Sequence, residues 1–312
     1  MPSEELRTWE RWAYALKPAS WPKLGSPFLL GQALGYATTG RFDVGGFFVG
    51  GAFTFAYVIY IVLLNDWGDR EVDALKRRMF PTGCSPKTIP DGILPASAVL
   101  GGGLGAGAFG LAVATLGGMW LDRPALGVFG FAALLIFHAY TFGPLRLNYR
   151  GGGELLEMAG IGVAVPWLNA YAQSGTLSGP YHGLMVGHAL LSLASALASG
   201  LADERSDRDG GKTTCTTSWG NRTVRALVNG LLPVGVFAWV LTSAAAGHAV
   251  WIPVAAGSAV VLYYAARARR ASSAAVTDAF DAQRRYKNEL HRAIWYGTAV
   301  LAAAIALREA IT

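Results

Sequence analysis

Charged residues are scarce in this sequence. Only 15% of its 312 residues are Asp, Glu, Lys or Arg, whereas 53% are hydrophobic and the mean hydropathy is positive. A soluble domain of this size carries about 25% charged residues, so the composition excludes an ordinary soluble protein. It favours a chain embedded in a lipid bilayer.

Cysteine and histidine are also rare. The two cysteines, Cys84 and Cys215, form no disulfide framework and have no metal-ligand spacing, and the five histidines are scattered. The net charge of +6 is compatible with nucleic acid, but basic residues beside membrane segments explain it equally well. We therefore expect no nucleic-acid partner.

Long apolar segments are the most abundant feature. Nine of them have roughly the length needed to cross a bilayer. They lie at 21–38, 44–64, 95–116, 121–142, 154–172, 183–202, 224–245, 249–266 and 293–308. The sequence predicts an all-α polytopic membrane protein, with nine transmembrane helices in a bundle around a central cavity and one domain over residues 1–312. Glycines such as Gly101, Gly105 and Gly107 predict close packing between helices.

An acidic cluster follows the second apolar segment directly. It begins after Asn65, and its carboxylates Asp66, Asp69 and Asp73 are spaced three and four residues apart. If the helix continues out of the membrane, these carboxylates line one face and converge. Carboxylates so close together repel each other, and Mg2+ held by one or two carboxylates, water and substrate phosphate removes that repulsion. The cluster therefore predicts a Mg2+ site.

A second acidic cluster follows the sixth apolar segment. Asp203 and Asp207 are four residues apart and again share a face. Lys212 and Thr214 follow at a spacing that presents an ammonium and a hydroxyl group to phosphate oxygens, although topology alone also favours a basic residue here. Two such clusters at the ends of two membrane segments suggest a site for a diphosphate bridged by Mg2+.

The distribution of basic residues predicts the orientation. With nine crossings, 23 of the 26 Lys and Arg residues fall on one side, and only Arg41, Arg123 and Arg308 fall on the other. Cytoplasmic loops carry the excess of basic residues. We therefore expect a multi-pass protein, in a bacterial inner membrane, whose acidic clusters face the cytoplasm.

The connection after the first cluster exceeds 20 residues, which is long for a simple connection. It carries Lys76 and Lys87, and the prolines and glycine between Ser85 and Gly92 indicate an ordered loop without regular structure. Such a loop would act as a lid that keeps water away from a reactive intermediate. The simpler alternative is a cytosolic loop whose basic residues only fix the topology.

Aromatic residues, Tyr140 among them, lie near the cytoplasmic ends of the segments. An aromatic belt at the membrane interface accounts for them without any function. Aromatic faces would also stabilise an allylic carbocation formed in a pocket. Both interpretations stay open.

Both clusters resemble the signatures of the UbiA superfamily of intramembrane prenyltransferases, and the likeness covers nearly the whole chain. The first signature, N-D-x-x-D-x-x-x-D, is matched by Asn65, Asp66, Asp69 and Asp73. The second, D-x-x-x-D followed by x-x-x-G-K-x-T, is matched by Asp203, Asp207, Gly211, Lys212 and Thr214. The resemblance implies an all-helical bundle around a laterally open cavity, in which Mg2+ bridges an isoprenoid diphosphate to both clusters.

Within the superfamily the sequence looks most like 1,4-dihydroxy-2-naphthoate polyprenyltransferase. The segment from Lys17 to Gly31 is similar to that family's opening motif, and the segment from Tyr140 to Pro144 is similar to its middle motif. Lys17 and Lys87 stand where that family has arginine, which replaces a bidentate guanidinium with a point charge.

The resemblance and the clusters together predict a Mg2+-dependent enzyme. It would transfer a polyprenyl group from an isoprenoid diphosphate to a small aromatic acceptor such as a quinone precursor, with the isoprenoid tail held among the apolar helices in the bilayer. The expected metal ligands are Asp66, Asp69, Asp203 and Asp207. The residues expected to bind the substrates are Lys212, Lys76, Lys87, Asn65, Lys17, Tyr140 and Thr214. Lys212 would be catalytic, and Asp73 would either support a metal ligand or act as a base beside the acceptor.

Two alternatives remain. The same diphosphate chemistry serves a terpene cyclase, or a transferase with a non-aromatic acceptor such as a lipid headgroup or a tetrapyrrole. A more distant alternative is a transporter whose aspartates bind cations at its cytoplasmic gate, which predicts ionisable residues near the middle of the helices. Apart from His138 and His188, the apolar segments contain almost none.

Overall fold

The described chain, residues 6–245 and 250–312 of a computed structural model, is 80% helical. Within these ranges the only β-type contact is an isolated parallel bridge between Arg150 and Thr213. A segment inside a bilayer satisfies its backbone hydrogen bonds locally by forming a helix, which explains the all-α architecture. The α-helices of the described residues are α1 (Thr8–Leu16), α2 (Pro22–Thr39), α3 (Val44–Gly68), α4 (Arg70–Met79), α5 (Ala96–Trp120), α6 (Ala125–Thr141), α7 (Leu147–Arg150), α8 (Gly153–Glu157), α9 (Val165–Ser174), α10 (Leu184–Ser199), α11 (Glu204–Asp209), α12 (Cys215–Ala245), α13 (Trp251–Ser272) and α14 (Phe280–Ile311).

Six helical runs in the described residues are long and apolar enough to cross a membrane. They are Val44–Gly68, Ala96–Trp120, Gly153–Ser174, Leu184–Ala202, Cys215–Ala244 and Phe280–Ile311. The run Gly153–Ser174 comprises α8, a π-helical stretch and α9. The other three predicted segments form α2, α6 and α13, which are shorter or less apolar. The all-helical membrane fold is thus confirmed, whereas the number of nine crossings stays a prediction.

Helices α3 and α5 pack closely along a row of glycines. A Cβ atom on Gly107 would lie 2.6 Å from a ring carbon of Tyr60, and one on Gly103 would meet a leucine side chain at the same distance. Gly101 and Gly105 are exposed, and a Cβ atom on either would meet nothing within 4 Å. The predicted packing role is therefore found for Gly107 and is wrong for Gly101 and Gly105, because residues two apart on a helix point to nearly opposite sides.

The described residues form three apolar cores, of which two are large. One involves α2, α10, α12, α13 and α14 and contains the fully buried Trp239 and Tyr286. The other involves α3, α5, α6 and α9 and contains Phe53 and Tyr57. Burying large aromatic side chains contributes much of the packing energy of such cores. A cavity lies between them, lined by residues of α3 and α6 on one side and of α10 on the other.

Each acidic cluster lies where a long helix is interrupted. Asp69 separates α3 from α4, and Asp203 separates the short 3-10 turn after α10 from α11. The condition under which the three carboxylates would converge, a helix that continues without interruption through the first cluster, is therefore not met. Helix α4 packs against α11, which brings both clusters to the same end of the bundle.

Candidate active site

A cavity of about 250 Å3 opens between the two acidic clusters. Nine of the twelve residues singled out from the sequence line it. They are Lys17, Asn65, Asp66, Asp69, Tyr140, Asp203, Asp207, Lys212 and Thr214. The other three, Asp73, Lys76 and Lys87, lie outside the lining and form ion pairs beside it. The fold therefore assembles one site from segments that are far apart in the sequence.

Lys212 joins the two clusters. Its Nζ atom lies 3.1 Å from both carboxylate oxygens of Asp69 and 3.8 Å from Oδ1 of Asp207. Burial would lower the pKa of Lys212, but Asp69 and Asp207 outweigh burial and raise the pKa above its ordinary value. Asn148 also donates to Oδ1 of Asp69 at 3.0 Å. Lys212 is therefore a fixed positive charge between two carboxylates, Asp69 and Asp207, that are 138 positions apart in the sequence. It holds both helix ends together.

The two carboxylates of the second cluster differ in acidity. Burial, together with the charges of Asp203 and Asp69, raises the pKa of Asp207 to about 7, although Lys212 opposes this shift. Burial would also raise the pKa of Asp203, but the ammonium groups of Lys76 and Lys87 outweigh burial and hold that pKa well below its ordinary range. At neutral pH Asp203 is therefore ionised, whereas Asp207 is close to its titration point.

Lys76 connects α4 to the second cluster. Its Nζ atom donates to the backbone carbonyl of Ala202 at 2.5 Å and forms an ion pair with Asp203. The Lys76 side chain is buried, so this pair is shielded from solvent on one side. The sequence predicted diphosphate binding for Lys76. The structure pairs its ammonium group with Asp203, which lines the cavity, whereas Lys76 itself lies outside the lining.

Asp66, in the first cluster, is held from two directions. Lys17 Nζ donates to Oδ1 of Asp66 at 2.5 Å, and Thr88 Oγ1 donates to Oδ2 at 2.5 Å. Lys17 occupies the C-cap of α1, whereas Thr88 lies in the loop between α4 and α5. Sequence reasoning missed Thr88, because a threonine in a long loop carries no signal of its distant partner.

Asp91 anchors the loop between α4 and α5. Its carboxylate accepts hydrogen bonds from Tyr14 Oη at 2.8 Å, from Arg77 Nε and Nη2 at 2.7 Å, and from the backbone N–H of Lys87 at 2.9 Å. Arg77 belongs to α4, so the predicted irregular segment is helical up to Met79. These four bonds fix the loop beside the first cluster, and its function as a lid stays a prediction.

Lys87 extends from this loop to Asp73. Lys87 Nζ donates to Oδ1 of Asp73 at 2.5 Å, and both side chains are buried. Burial raises the pKa of Asp73, although Lys87 opposes this shift. Asp73 is outside the cavity lining, and this placement favours support of the metal site over a base beside an acceptor.

Much of the remaining wall of the cavity is apolar. The apolar part is formed by Leu24, Tyr57, Val58, Ile61, Val62, Ile136, Phe137, Leu156 and Ile161. Tyr140 stacks on Phe137 with ring centroids 5.1 Å apart. Tyr57 donates its hydroxyl hydrogen to the carbonyl of Ala133 at 2.8 Å, so this hydroxyl serves the fold. The position of Tyr140 in the lining favours the substrate-facing interpretation over the interfacial belt.

Lys23 and Glu157 form a further ion pair in the cavity wall. Glu157 ends α8, directly before the π-helical stretch Met158–Ala164, and π-helical turns often occur at functional sites. Sequence reasoning missed this pair, because the two residues are 134 positions apart and neither belongs to an acidic cluster.

The carboxylates do not converge in the way that the sequence suggested. Among residues 6–245 and 250–312, no three His, Cys, Asp or Glu side chains are close enough to hold one metal ion. Asp66, Asp69 and Asp73 instead pair with different lysines. The donor set still suits a hard divalent cation, because six carboxylates and two asparagine amides border one cavity. Mg2+ needs only one or two of them when water and phosphate complete its shell.

A sequence model of the UbiA prenyltransferase family matches residues 24–288. The chain is 24% identical over 240 residues to a chloroplastic chlorophyll synthase from Arabidopsis thaliana, a match that covers 74% of this chain and 59% of that protein. It is also 24% identical over 241 residues to the enzyme of that name from Avena sativa, covering 74% and 60% of the two chains. The chain thus spans about three fifths of the length of these curated relatives.

Solved structures share the fold. A UbiA homolog from Archaeoglobus fulgidus bound to DMAPP and Mg2+ superposes with a TM-score of 0.70 at 13% identity, over 97% of this chain and 100% of that chain. The apo structure of a UbiA homolog from Aeropyrum pernix K1 gives 0.67 at 16% identity, over 91% and 97%. At these identities the likeness concerns the arrangement of helices.

Proposed function

The chain belongs to the UbiA prenyltransferase family, and from this premise we propose that it transfers a prenyl group from an isoprenoid diphosphate, with Mg2+, to a tetrapyrrole acceptor. The family makes the chain a prenyltransferase. The donor, the ion and the acceptor are supported separately below.

One observation carries the proposed donor chemistry, namely the meeting of both acidic clusters at Lys212. A diphosphate needs cations on several sides, and the cavity offers carboxylates that can share Mg2+ beside the buried ammonium group of Lys212. The relatives of the same fold from Archaeoglobus fulgidus bind DMAPP or GPP with Mg2+, which supports the same ligands here.

The residues of this chain would act on charge that develops as the allylic carbon–oxygen bond breaks. Mg2+, when bound by Asp66, Asp69, Asp203 or Asp207, supplies Lewis-acid stabilisation of the leaving diphosphate. Lys212 and Lys17 present ammonium groups from the cavity wall to the same oxygens. The faces of Tyr140 and the apolar wall exclude water from the allylic carbon and stabilise its positive charge.

Similarity to chlorophyll synthases supports the tetrapyrrole acceptor. In this proposal only the reacting side chain of the tetrapyrrole enters the cavity, while the macrocycle stays at the opening. The apolar wall of the cavity also suits a small aromatic ring, which keeps a quinone precursor, including the naphthoate indicated by the motifs, as the second candidate.

The location proposed for the enzyme is a bacterial inner membrane, with the cavity facing the cytoplasm. The excess of Lys and Arg around the acidic end of the bundle supports this orientation. It would give the cavity access to cytoplasmic Mg2+ and to water-soluble diphosphate groups.

The test is product analysis with purified protein in nanodiscs, Mg2+ and geranylgeranyl diphosphate. A chlorin monocarboxylic acid and a dihydroxynaphthoate are offered as acceptors in separate reactions, with a reaction lacking acceptor as the control. We expect a prenylated chlorin. A prenylated naphthoate would select the second candidate, and a hydrocarbon formed without acceptor would identify a terpene cyclase.

A further inference from the structure

Lysine is rare in this protein, and most of its lysines lie at or beside the cavity. The sequence contains only six lysines among its 26 basic residues. Five of them form ion pairs with the carboxylates at the cavity. These five pairs are Lys17 with Asp66, Lys23 with Glu157, Lys76 with Asp203, Lys87 with Asp73, and Lys212 with Asp69. The sixth lysine, Lys287, lies on α14, far along the sequence from both acidic clusters.

The register of α14 places Lys287 on the helix face nearest the second cluster, beside the cavity and outside its lining residues. Seven residues before it, the ring of Phe280 lies 5.5 Å from Lys76 Nζ. Seven residues after it, Ile294 borders a small gap together with Lys23 and Glu157. Residues seven apart on a helix share nearly the same face, so Lys287 lies between these two points on the stripe that faces the cluster.

A neighbouring contact supports this placement. One turn before Lys287, the amide of Gln283 donates to the carbonyl of Leu201 at 3.0 Å, two residues before Asp203. The ionisable groups near enough to interact electrostatically with Lys287 include the carboxylates of Asp203 and Glu157, the ammonium groups of Lys23 and Lys76, and the imidazole of His291 one turn later on α14.

Lys287 has no carboxylate of its own. Within the described part of the chain, no Asp or Glu oxygen lies within ion-pairing distance of its Nζ atom, because Asp203 and Glu157 already pair with Lys76 and Lys23. A half-buried ammonium group beside two other ammonium groups is electrostatically unfavourable. An anionic ligand would relieve this repulsion.

We propose that Lys287 binds an oxyanion of a bound substrate, either a phosphate oxygen of the isoprenoid diphosphate or a carboxylate of the acceptor. The inference rests on the proposed function and extends it to α14, outside both aspartate motifs. Lys287 is then the one lysine of the described residues that has no carboxylate partner until substrate arrives.

The variants for the test are Lys287→Met, which removes the charge at similar length, and Lys287→Arg, which keeps it. Arg284→Met is the matched control, because Arg284 lies one turn earlier on the exposed face and pairs only with the exposed Asp281. All four proteins, wild type included, are purified in full length and in the same detergent.

Affinity for inorganic pyrophosphate with Mg2+, measured by calorimetry, tests the phosphate source. Loss of one charge-assisted hydrogen bond should weaken binding by Lys287→Met about tenfold or more, with Lys287→Arg and Arg284→Met close to wild type. Binding of a chlorin monocarboxylic acid and of its methyl ester, followed by tryptophan quenching, tests the carboxylate source. In this measurement wild type should bind the acid more tightly than the methyl ester, and Lys287→Met should bind the two about equally. The proposal is wrong if neither affinity changes beyond about threefold.

Thermal unfolding of the substrate-free proteins separates a ligand role from a structural one. Lys287→Met leaves no carboxylate unpaired, so its melting temperature should equal or exceed that of wild type. A clear fall would mean that Lys287 holds the fold together, and would contradict the proposal. If wild-type protein itself neither binds pyrophosphate nor releases it from the donor, the proposed function fails first, which is a different result from equal binding by wild type and Lys287→Met.

Discussion

Lys212 Nζ lies 3.1 Å from both carboxylate oxygens of Asp69, although the two residues are 143 positions apart in the sequence. It also lies 3.8 Å from Asp207 in its own cluster. Helices α3 and α10 lead into the two clusters. The ammonium group of Lys212 contacts both clusters and so connects them into one site.

Replacing Lys212 with methionine should slow diphosphate release. Removing one preorganised positive charge from a developing anion typically costs about 10^2 to 10^3 in kcat. Lys212→Arg should retain more activity, and Arg222→Met, at an exposed position on α12, should be unchanged. Steady-state release of diphosphate from geranylgeranyl diphosphate measures the effect. An unchanged kcat in Lys212→Met would show that this ammonium group takes no part in ionisation.

Mg2+ affinity should increase with pH through the titration of Asp207. Burial raises the pKa of this carboxyl to about 7, above its unfolded value, so below pH 7 the carboxyl is mostly protonated and Mg2+ must displace the proton. Between pH 6 and pH 8 the ionised fraction rises about tenfold, and the apparent dissociation constant of Mg2+ should fall by a similar factor. Calorimetry in two buffers measures the affinity and the released proton. Asp207→Asn should remove the slope; a slope that persists in this variant would assign it to another group.

Asp91 should control the order of the loop between α4 and α5. Asp91→Ala removes the acceptor of four hydrogen bonds, two of them from Arg77, so amide exchange in residues 80–95 should accelerate. Because Lys87 and Thr88 are then no longer held beside Asp73 and Asp66, kcat should fall about tenfold. Tyr14→Phe, which loses one neutral donor, should show a smaller change in both measurements, about threefold in rate. Unaltered exchange in Asp91→Ala would mean that the loop is fixed by other contacts.

Two glycines of α5 should respond oppositely to alanine. Gly107→Ala places a Cβ atom 2.6 Å from the ring of Tyr60, so α3 and α5 must move apart, at a cost of about 1 to 3 kcal/mol. Gly105→Ala adds a methyl group where nothing lies within 4 Å and raises helix propensity, so it should be neutral or stabilising. Thermal unfolding in detergent compares the two. Equal melting temperatures would show that the glycine row does not set the distance between these helices.

The sequence was most informative where bilayer physics or local spacing decides the structure. Apolar length predicted the helices, and the spacing of Asp66, Asp69, Asp203 and Asp207 predicted which side chains would border one cavity. Local spacing could not show that Asp69 interrupts the helix and accepts hydrogen bonds from Asn148 and Lys212, which are far away in the sequence.

Long-range partners account for what the sequence could not provide. Thr88 with Asp66, Tyr14 with Asp91, and Lys23 with Glu157 are each brought together only by the folded bundle. The lysine partners of the carboxylates could not be predicted from the sequence either. Because each of the three aspartates of the first cluster pairs with its own lysine, the three need not converge on one metal ion. Tertiary contacts also decide which face of α5 is buried. The close helix packing predicted for Gly101 and Gly105 is wrong for this reason.

The central claim is that one carboxylate from each acidic cluster is needed to ionise an isoprenoid diphosphate. The most direct test is the rate of Mg2+-dependent diphosphate release from geranylgeranyl diphosphate by wild type, Asp69→Asn and Asp207→Asn, each checked for an unchanged elution volume. We predict that both variants lose at least about 100-fold in rate, because each cluster supplies charge that the other cannot replace. Release at the wild-type rate by either variant would contradict the account.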